Sequence, residues 1–320
     1  MLATGPGKAH GRTGEPPDFS FTHLPAGQGT TMLSASQITR YHETGYLVVP
    51  GLLSAAEVAG LRAATDRMVA GSVSVEEHNE QFDLEPGHSA ASPRVRRIKN
   101  PDKWDPAFDA VVRHPAILAC LQQLWAGLGV RYDISKLNMK SAGFGSPVEW
   151  HQDWAFYPHT NDDLAAVGVM LDDIDLDNGP MEVVPGSHRG PIFDHHADGR
   201  FCGAIDATMP GLQLDRREPC VGSAGSITLH HVRALHGSAP NRSGRPRRFL
   251  LMQMRCADAW PLIAKPPTWE SWAGLLVAGE GTLTPRMESV PVRLPFPPAI
   301  NQGSIYANQS SLRNPFFVAR

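Results

Sequence analysis

The chain has few cysteines, little net charge and no long apolar run. Its four cysteines lie far apart and form no Cys-x-x-Cys pair, which argues against a disulfide framework and against a zinc site. They are typical of buried or free thiols in a reducing cytoplasm. The formal net charge is −3 over 320 residues, so no excess of positive charge is present to hold phosphate backbones. Nucleic-acid binding is therefore not expected.

A membrane protein is not expected either. No apolar run approaches the ~20 residues that a bilayer-spanning helix needs. The N-terminus also lacks the apolar core of a secretory signal. We therefore expect a cytoplasmic protein with a small-molecule substrate and no nucleic-acid or membrane partner. Its oligomeric state, monomer or homodimer, is left open.

Composition divides the chain into two parts. Residues 1–31 are rich in Gly, Pro, Thr and His and have no periodic apolar pattern, which predicts a flexible N-terminal extension. An alternative is that Met32 is the natural start. Residues 32–320 are predicted to form a single domain.

Helical patterns come first in this domain, and short strands follow. Ser54 with Glu57 is typical of a capping box, and residues 114–125 place apolar side chains on one helical face. From Val130 onward, short β-type runs alternate with turns rich in Gly, Pro and Asn. This order predicts an α+β protein in which helices pack on a β-sandwich or barrel.

A His-x-Asp pair, His151 and Asp153, lies in the first part of the strand region. In a strand, residues i and i+2 point to the same face, so both side chains can meet one ion. A second histidine from a distant strand would complete a set of two histidines and one carboxylate. That set leaves positions on the ion open and is typical of non-haem Fe(II) oxygenases. Alone, a His-x-Asp pair is more often a salt bridge on the surface than a metal site.

The second histidine of the set is predicted at His236, after the apolar run 226–229. Arg247 follows eleven residues later, at the start of another strand-like run. A guanidinium stays charged and binds a carboxylate through two N–H groups, so Arg247 suits a carboxylate at the metal. His230 shares the parity of His236 and remains an alternative ligand, although the Gly-Ser context and the spacing to Arg247 favour His236.

These motifs together resemble the phytanoyl-CoA dioxygenase family. They are His-Gln-Asp, a later His-Gly-Ser-x-Pro-Asn-x-Ser, and an arginine eleven residues beyond that histidine. The likeness runs from Leu33 to Asp258 and includes the Asn-Gly-Pro-Met-Glu-Val-Val-Pro-Gly-Ser-His segment at 178–188. It implies a double-stranded β-helix (jelly-roll, cupin-like) core, Fe(II), and 2-oxoglutarate and O2 as co-substrates. It also implies hydroxylation of an unactivated C–H in a small molecule, with succinate and CO2 as co-products.

The resemblance also implies roles by position. His151, Asp153 and His236 would bind iron, and Arg247 and Ser238 would bind 2-oxoglutarate. Further predicted co-substrate contacts are Gln152, Arg97 and Lys136. The predicted substrate pocket consists of Trp154, Phe156 and Tyr157, which crowd the first ligand pair, and Val169, which stands where some relatives have a tryptophan. No catalytic residue is predicted beyond the metal ligands.

Several outcomes stay open at this point. Asp153 keeps the carboxylate that related halogenases replace, so halogenation is disfavoured. An oxidase of the same fold that desaturates, epimerises or cyclises its substrate is an alternative, and a non-catalytic binding protein is a weaker one. The loops at 72–95 and after Pro261 are predicted as a lid over the pocket. The Pro-rich tail after Pro261 either covers the sheet or forms an interface, and both alternatives are kept.

Overall fold

The computed structural model of the protein describes residues 32–143, 145–263, 268–299 and 304–317. The predicted flexible extension, residues 1–31, lies outside the described residues. The assignment of residues 32–320 to one domain stays a prediction. Among the described residues, no helix combines the length and apolar character needed to cross a bilayer.

Most of the helices precede the long strands, as predicted. They are α1 (Ala35–Thr44), α2 (Ala55–Gly71), α3 (Pro106–Val112), α4 (Pro115–Leu124), α5 (Trp269–Gly274) and α6 (Ile305–Gln309). Ser54 caps α2 and forms the predicted capping box with Glu57. Ser34 caps α1 in the same way, with Gln37 as its partner.

Short antiparallel strands make up the rest of the fold. They are β1 (Tyr46–Val49), β2 (Phe82–Leu84), β3 (Val95–Lys99), β4 (Val130–Lys140), β5 (Val148–His151), β6 (Leu164–Met170), β7 (Met181–Val183), β8 (His196–Ala197), β9 (Arg200–Phe201), β10 (Glu218–Cys220), β11 (Ile227–His231), β12 (His236–Ser238), β13 (Arg247–Cys256) and β14 (Leu276–Ala278).

Two of the sheets form the core of a jelly roll. The larger has eight strands in the order β1-β11-β6-β13-β4-β3-β2, with β14 paired to β4. The smaller has four strands in the order β10-β7-β12-β5. Met170 and Phe249 of the larger sheet pack with Met181 and Val183 of the smaller in one buried cluster. The two sheets therefore face each other, and the α+β jelly-roll prediction is confirmed.

Alternation along β13 gives the larger sheet two different faces. Leu250 and Met252 belong to the apolar cluster that the N-terminal helices cover. Phe249 and Leu251 instead line a cavity between the two sheets. The helices thus bury one face of the sheet, and the other face is left for the site.

Candidate metal centre

The predicted iron ligands come together between the sheets. His151 ends β5 and His236 begins β12, and these two residues are direct partners in the antiparallel pairing of the strands. Asp153 follows β5 in a short helical turn. One ligand atom from each of the three side chains lies within 4.8 Å of the others, and all three residues are buried.

Backbone carbonyls fix the tautomer of both histidines. His151 Nδ1 donates to the Glu149 carbonyl at 2.7 Å, and His236 Nδ1 donates to the Ala234 carbonyl at 2.9 Å. A neutral ring that donates from Nδ1 keeps a lone pair on Nε2, as a metal ligand requires. Burial lowers the pKa of both rings, and the neighbouring His236 lowers that of His151 further. Both imidazoles are therefore neutral at pH 7.

Asp153 supplies the negative charge of the centre. Burial raises the pKa of its carboxyl, but the neighbouring groups, with the Lys136 ammonium first among them, outweigh burial and hold the pKa below its ordinary value. Two neutral imidazoles and one carboxylate are the donor set that suits non-haem Fe(II). The residues present therefore fit this metal.

His230 lies beside the triad but outside it. Its Nε2 is 3.9 Å from Asp153 Oδ2, and its ring centroid is 4.8 Å from that of His236. Neither of its ring nitrogens has a hydrogen-bond partner among the described residues. The ligand atoms that converge are those of His151, Asp153 and His236. The geometry therefore favours His236 over His230 as the third ligand.

The triad opens onto one cavity, here called the central cavity. It is lined by Arg97, Lys136, Asn138, Lys140, Val148, His151, Asp153, Met181, His236, Gly237, Ser238, Arg247, Phe249, Leu251, Ile305 and Tyr306. The predicted co-substrate contacts Arg97, Lys136, Ser238 and Arg247 are all in this wall. Lys140, Phe249 and Tyr306 also line it and were not predicted from the sequence.

Lys140 and Arg247 are two buried cations in the wall of the central cavity. They are direct partners across β4 and β13 and are 1% and 2% exposed. Lys140 Nζ donates to Ser238 Oγ at 2.8 Å and to the Ala239 carbonyl, and Arg247 Nη2 donates to the Gly179 carbonyl at 2.8 Å. Neither cation forms an ion pair within the described ranges. Two buried positive charges without an acidic partner suit an incoming carboxylate.

The pKa values of this pair reflect the missing counter-charge. Burial lowers the pKa of Lys140 well below its ordinary value, and the neighbouring Arg247 lowers it further. Burial lowers the pKa of Arg247 to about 10. A bound carboxylate would raise both pKa values again, because an opposite charge at short range favours the charged form of each group.

The middle of the wall is built around Phe249. A Cβ placed on Gly168 of β6 would lie 2.2 Å from Phe249 Cζ and 2.4 Å from Thr228 Oγ1. The aromatic ring from β13 therefore takes the room that a side chain at residue 168 would need. The prediction that Val169 lines this wall is wrong, because Val169 is fully buried on the opposite, helix-covered face.

Gln152 does not contact the co-substrate cavity, so that prediction is also wrong. Its side chain points away from the faces of His151 and Asp153, as alternation requires. Its amide group donates to the carbonyls of Pro191 and Arg233 and accepts from the Phe193 N–H. All of its polar atoms are thus used to hold the chain around the metal ligands.

The metal loop is also held by His195, which the sequence analysis missed. The Gln152 N–H, between two ligands, donates to His195 Nε2 at 2.9 Å. His195 Nδ1 donates to the Phe193 carbonyl at 2.8 Å. Burial lowers the pKa of His195 to about 4, so the ring stays neutral and can accept this bond.

None of the three predicted pocket aromatics lines the central cavity. Trp154 is fully buried in the apolar core, and its Nε1 donates to the Pro291 carbonyl, so the pocket prediction for Trp154 is wrong. The Phe156 ring meets the His151 ring edge-on at 6.0 Å. The Tyr157 hydroxyl donates to Gln253 Oε1 at 2.8 Å. Phe156 and Tyr157 line a second cavity beside the site, not the central one.

The C-terminal segment covers the central cavity. Ile305 and Tyr306 of α6 belong to its wall. The segment is fixed to β5, because the Glu149 carboxylate accepts the N–H groups of Phe316 and Phe317 at 2.8 Å and 3.1 Å. Of the two roles that the sequence left open for the segment after Pro261, these residues have the covering role.

A jelly roll that carries two histidines and one carboxylate between its sheets defines the class of non-haem iron oxygenases. Residues 41–249 match the phytanoyl-CoA dioxygenase (PhyH) family, and the chain belongs to this family. The chain is an Fe(II)- and 2-oxoglutarate-dependent dioxygenase, and O2 is its oxidant.

Known proteins of this kind resemble the chain over most of its length. A probable alpha-ketoglutarate-dependent hypophosphite dioxygenase from Stutzerimonas stutzeri is 38% identical over 287 residues, which cover 88% of this chain and 99% of the relative. L-proline trans-4-hydroxylase from Streptomyces griseoviridis is 31% identical over 67% of this chain and 83% of its own. The crystal structure of EctD from S. alaskensis with bound Fe has a TM-score of 0.61 at 23% identity, over 73% of this chain and 82% of its own, and shows the same fold.

Proposed function

We propose that this dioxygenase oxidises a small polar substrate, and that hypophosphite is the first candidate. The observation that carries the proposal is the lining of the central cavity, where charged and polar side chains outnumber apolar ones on the wall of the larger sheet. The charged and polar groups of such a wall can bind a small polar substrate, whereas an acyl chain would leave them without partners. The hypophosphite dioxygenase relative, which matches this chain over nearly its whole length, supports the choice of substrate.

Ten of the residues that line the central cavity have a proposed part in this reaction. His151, Asp153 and His236 would hold Fe(II), which when bound supplies the activation of O2 that protein side chains cannot provide. Arg247, Lys140 and Ser238 would bind the distal carboxylate of 2-oxoglutarate. Arg97 would orient Asn138, to which its Nε donates at 3.0 Å. Tyr306 and Ile305 would exclude water from the cavity.

The proposed reaction balances with one O2 and one 2-oxoglutarate. A P–H bond of hypophosphite is replaced by P–OH, which gives phosphite. 2-Oxoglutarate loses its first carbon as CO2, and the second oxygen atom is found in the new carboxylate of succinate. The four-electron reduction of O2 is thus matched by two electrons from the substrate and two from the co-substrate.

The L-proline hydroxylase relative supports a second candidate, hydroxylation of a C–H bond in a small amino acid. Both candidates give the same co-products, as would desaturation, epimerisation or cyclisation. The test is to incubate enzyme, Fe(II), 2-oxoglutarate and O2 with hypophosphite or L-proline, and to measure succinate together with the substrate-derived product. We expect one phosphite per hypophosphite-dependent succinate. Succinate that depends on L-proline alone would contradict the first candidate and support the second.

The protein is proposed to work in the cytoplasm. Its four cysteines are all buried and form no disulfide bond, which fits a reducing compartment.

A further inference from the structure

Three residues of β4 point into the central cavity, and they are spaced along it. Lys136, Asn138 and Lys140 alternate with residues that face the helices, and all three line the cavity. A strand rises roughly 3.3 Å per residue, so the backbones at Lys136 and Lys140 are about 13 Å apart. The two lysines therefore serve different ends of the same cavity.

The electrostatic partners of the two lysines differ accordingly. Burial lowers the pKa of Lys136, and the nearest acidic influence on it is the metal ligand Asp153. For Lys140 the strongest neighbouring charge is Arg247, and its Nζ bonds Ser238. Lys136 thus lies toward the metal end, and Lys140 lies with Arg247 where the distal carboxylate of the co-substrate is proposed to bind.

Lys136 differs from the neighbouring cations in the contacts of its charged group. Its ammonium has no hydrogen bond and no ion pair in the part of the chain that the structure describes. The neighbouring cations of the same face are occupied: Lys99 Nζ pairs with Asp83 at 3.1 Å, and Arg97 bonds Asn138. A partly buried ammonium that faces a cavity without a partner raises the free energy of the folded protein unless an anion binds to it.

The surroundings of Lys136 limit the size of such an anion. Leu251, its direct partner on β13, gives an apolar wall on one side. Ile305 and Tyr306 of α6, which pack against Val148 of the smaller sheet, close the cavity on another side. A compact oxyanion or a short carboxylate suits these walls, whereas a long chain does not.

We propose that Lys136 binds the anionic group of the substrate beside the metal, and that the enzyme selects small monoanions such as a phosphinate or a short carboxylate. This rests on the proposed function in one respect, since it leaves the distal carboxylate of 2-oxoglutarate to Arg247 and Lys140. It revises the expectation that Lys136 is a co-substrate contact.

The test separates the two ligands by titration without turnover. Under anaerobic conditions, the visible charge-transfer band of the protein with Fe(II) and 2-oxoglutarate reports co-substrate binding. The change in that band on addition of hypophosphite, formate or L-proline reports anion binding. Each titration is run on the wild type, Lys136→Met, Lys136→Arg and Arg247→Met, with thermal unfolding to confirm that each variant is folded.

We expect the Lys136 and Arg247 substitutions to weaken the binding of different ligands. Lys136→Met raises the half-saturating anion concentration about 10- to 100-fold, since a charged hydrogen bond is lost, and changes that of 2-oxoglutarate less than about twofold. Lys136→Arg restores part of the anion binding. Arg247→Met shows the reverse pattern.

Three results would count against the account, and each has its own meaning. If Lys136→Met weakens 2-oxoglutarate and leaves the anion unchanged, Lys136 is a co-substrate residue and the proposal is wrong. If the wild-type band forms but responds to none of the anions, the substrate is not a small anion and the proposal is again wrong, while the co-substrate site stands. If folded wild type gives no band, the proposed function itself fails.

Discussion

Lys140 Nζ donates a hydrogen bond to Ser238 Oγ at 2.8 Å, and this bond joins β4 of the larger sheet to β12 of the smaller one. Ser238 lies two residues after the metal ligand His236 on the same strand. The bond thus ties the cationic end of the central cavity to the metal centre. It also places two positive charges, Lys140 and Arg247, where the sequence predicted one.

Loss of either cation should weaken 2-oxoglutarate binding and spare the metal. For Arg247→Met and Lys140→Met we expect the KM for 2-oxoglutarate to rise about 10- to 100-fold, because each removes a charged partner of the distal carboxylate. Fe(II) affinity, measured by equilibrium dialysis, should change little. A Lys140→Met variant with unchanged KM would show that Lys140 has only a structural role between the sheets.

The two neighbouring histidines should behave differently when removed. His236→Ala should abolish tight Fe(II) binding, because His236 is one of three converging ligands. His230→Ala removes a ring whose nitrogens form no hydrogen bond among the described residues. Its Fe(II) affinity should stay within about tenfold of the wild-type value, as expected for a residue outside the ligand set. Fe(II) dialysis of both variants decides the matter, and loss of iron only in His230→Ala would reverse the assignment.

Acid should loosen the metal loop through His195. Folding lowers the pKa of this ring from its ordinary value near 6.5 to about 4. A lowered histidine pKa gives stability that is present above pH 6.5 and is lost as the pH falls toward 4, because the unfolded chain takes up the proton first. Between pH 7 and pH 5 this loss is about 2 kcal/mol for one such residue.

The measurement for His195 is urea unfolding at both pH values. His195→Gln keeps a hydrogen-bonding side chain that does not titrate. Its free energy of unfolding should therefore fall by about 2 kcal/mol less than that of the wild type over this interval. Equal losses in the two proteins would mean that His195 does not contribute to the acid sensitivity.

The close contact between Gly168 and Phe249 predicts a pair of compensating substitutions. Gly168→Ala should destabilise the fold by about 1–3 kcal/mol, because the new methyl group overlaps the Phe249 ring. Phe249→Leu shortens that side chain and should recover much of the loss when the two are combined. Denaturant unfolding of the single and double variants tests this, and additive losses would contradict it.

The iron ligands were readable from sequence because the relevant geometry is local. His151 ends a strand and the extended Gln152 carries the alternation on to Asp153, although Asp153 itself begins a helical turn. The His-Gly-Ser segment indicated His236. The same alternation predicts that the Gln152 side chain points away from the cavity, as the structure shows. It also places Lys136, Asn138 and Lys140 on one face, a signal that was present in the sequence and was not used for Lys140.

The rest of the site depends on contacts between distant parts of the chain. The prediction that Val169 lines the cavity was wrong by one position in the strand. A shift of one residue moves a side chain to the other face of a sheet. The true occupant of that wall, Phe249, comes from another strand and fits only because residue 168 is glycine. Tyr306 comes from a short helix near the C-terminus, where Gln309 Oε1 accepts the Glu149 N–H at 3.0 Å. No local sequence pattern predicts that this helix reaches the site.

The most direct test of the central claim is an anaerobic titration of the metal-free protein with Fe(II) and 2-oxoglutarate, followed by the visible charge-transfer band, with His151→Ala in parallel. The account predicts a band in the wild type that requires both ligands, and no band in folded His151→Ala. A wild type without a band, or a His151→Ala variant with an unchanged one, would contradict the assignment of this centre.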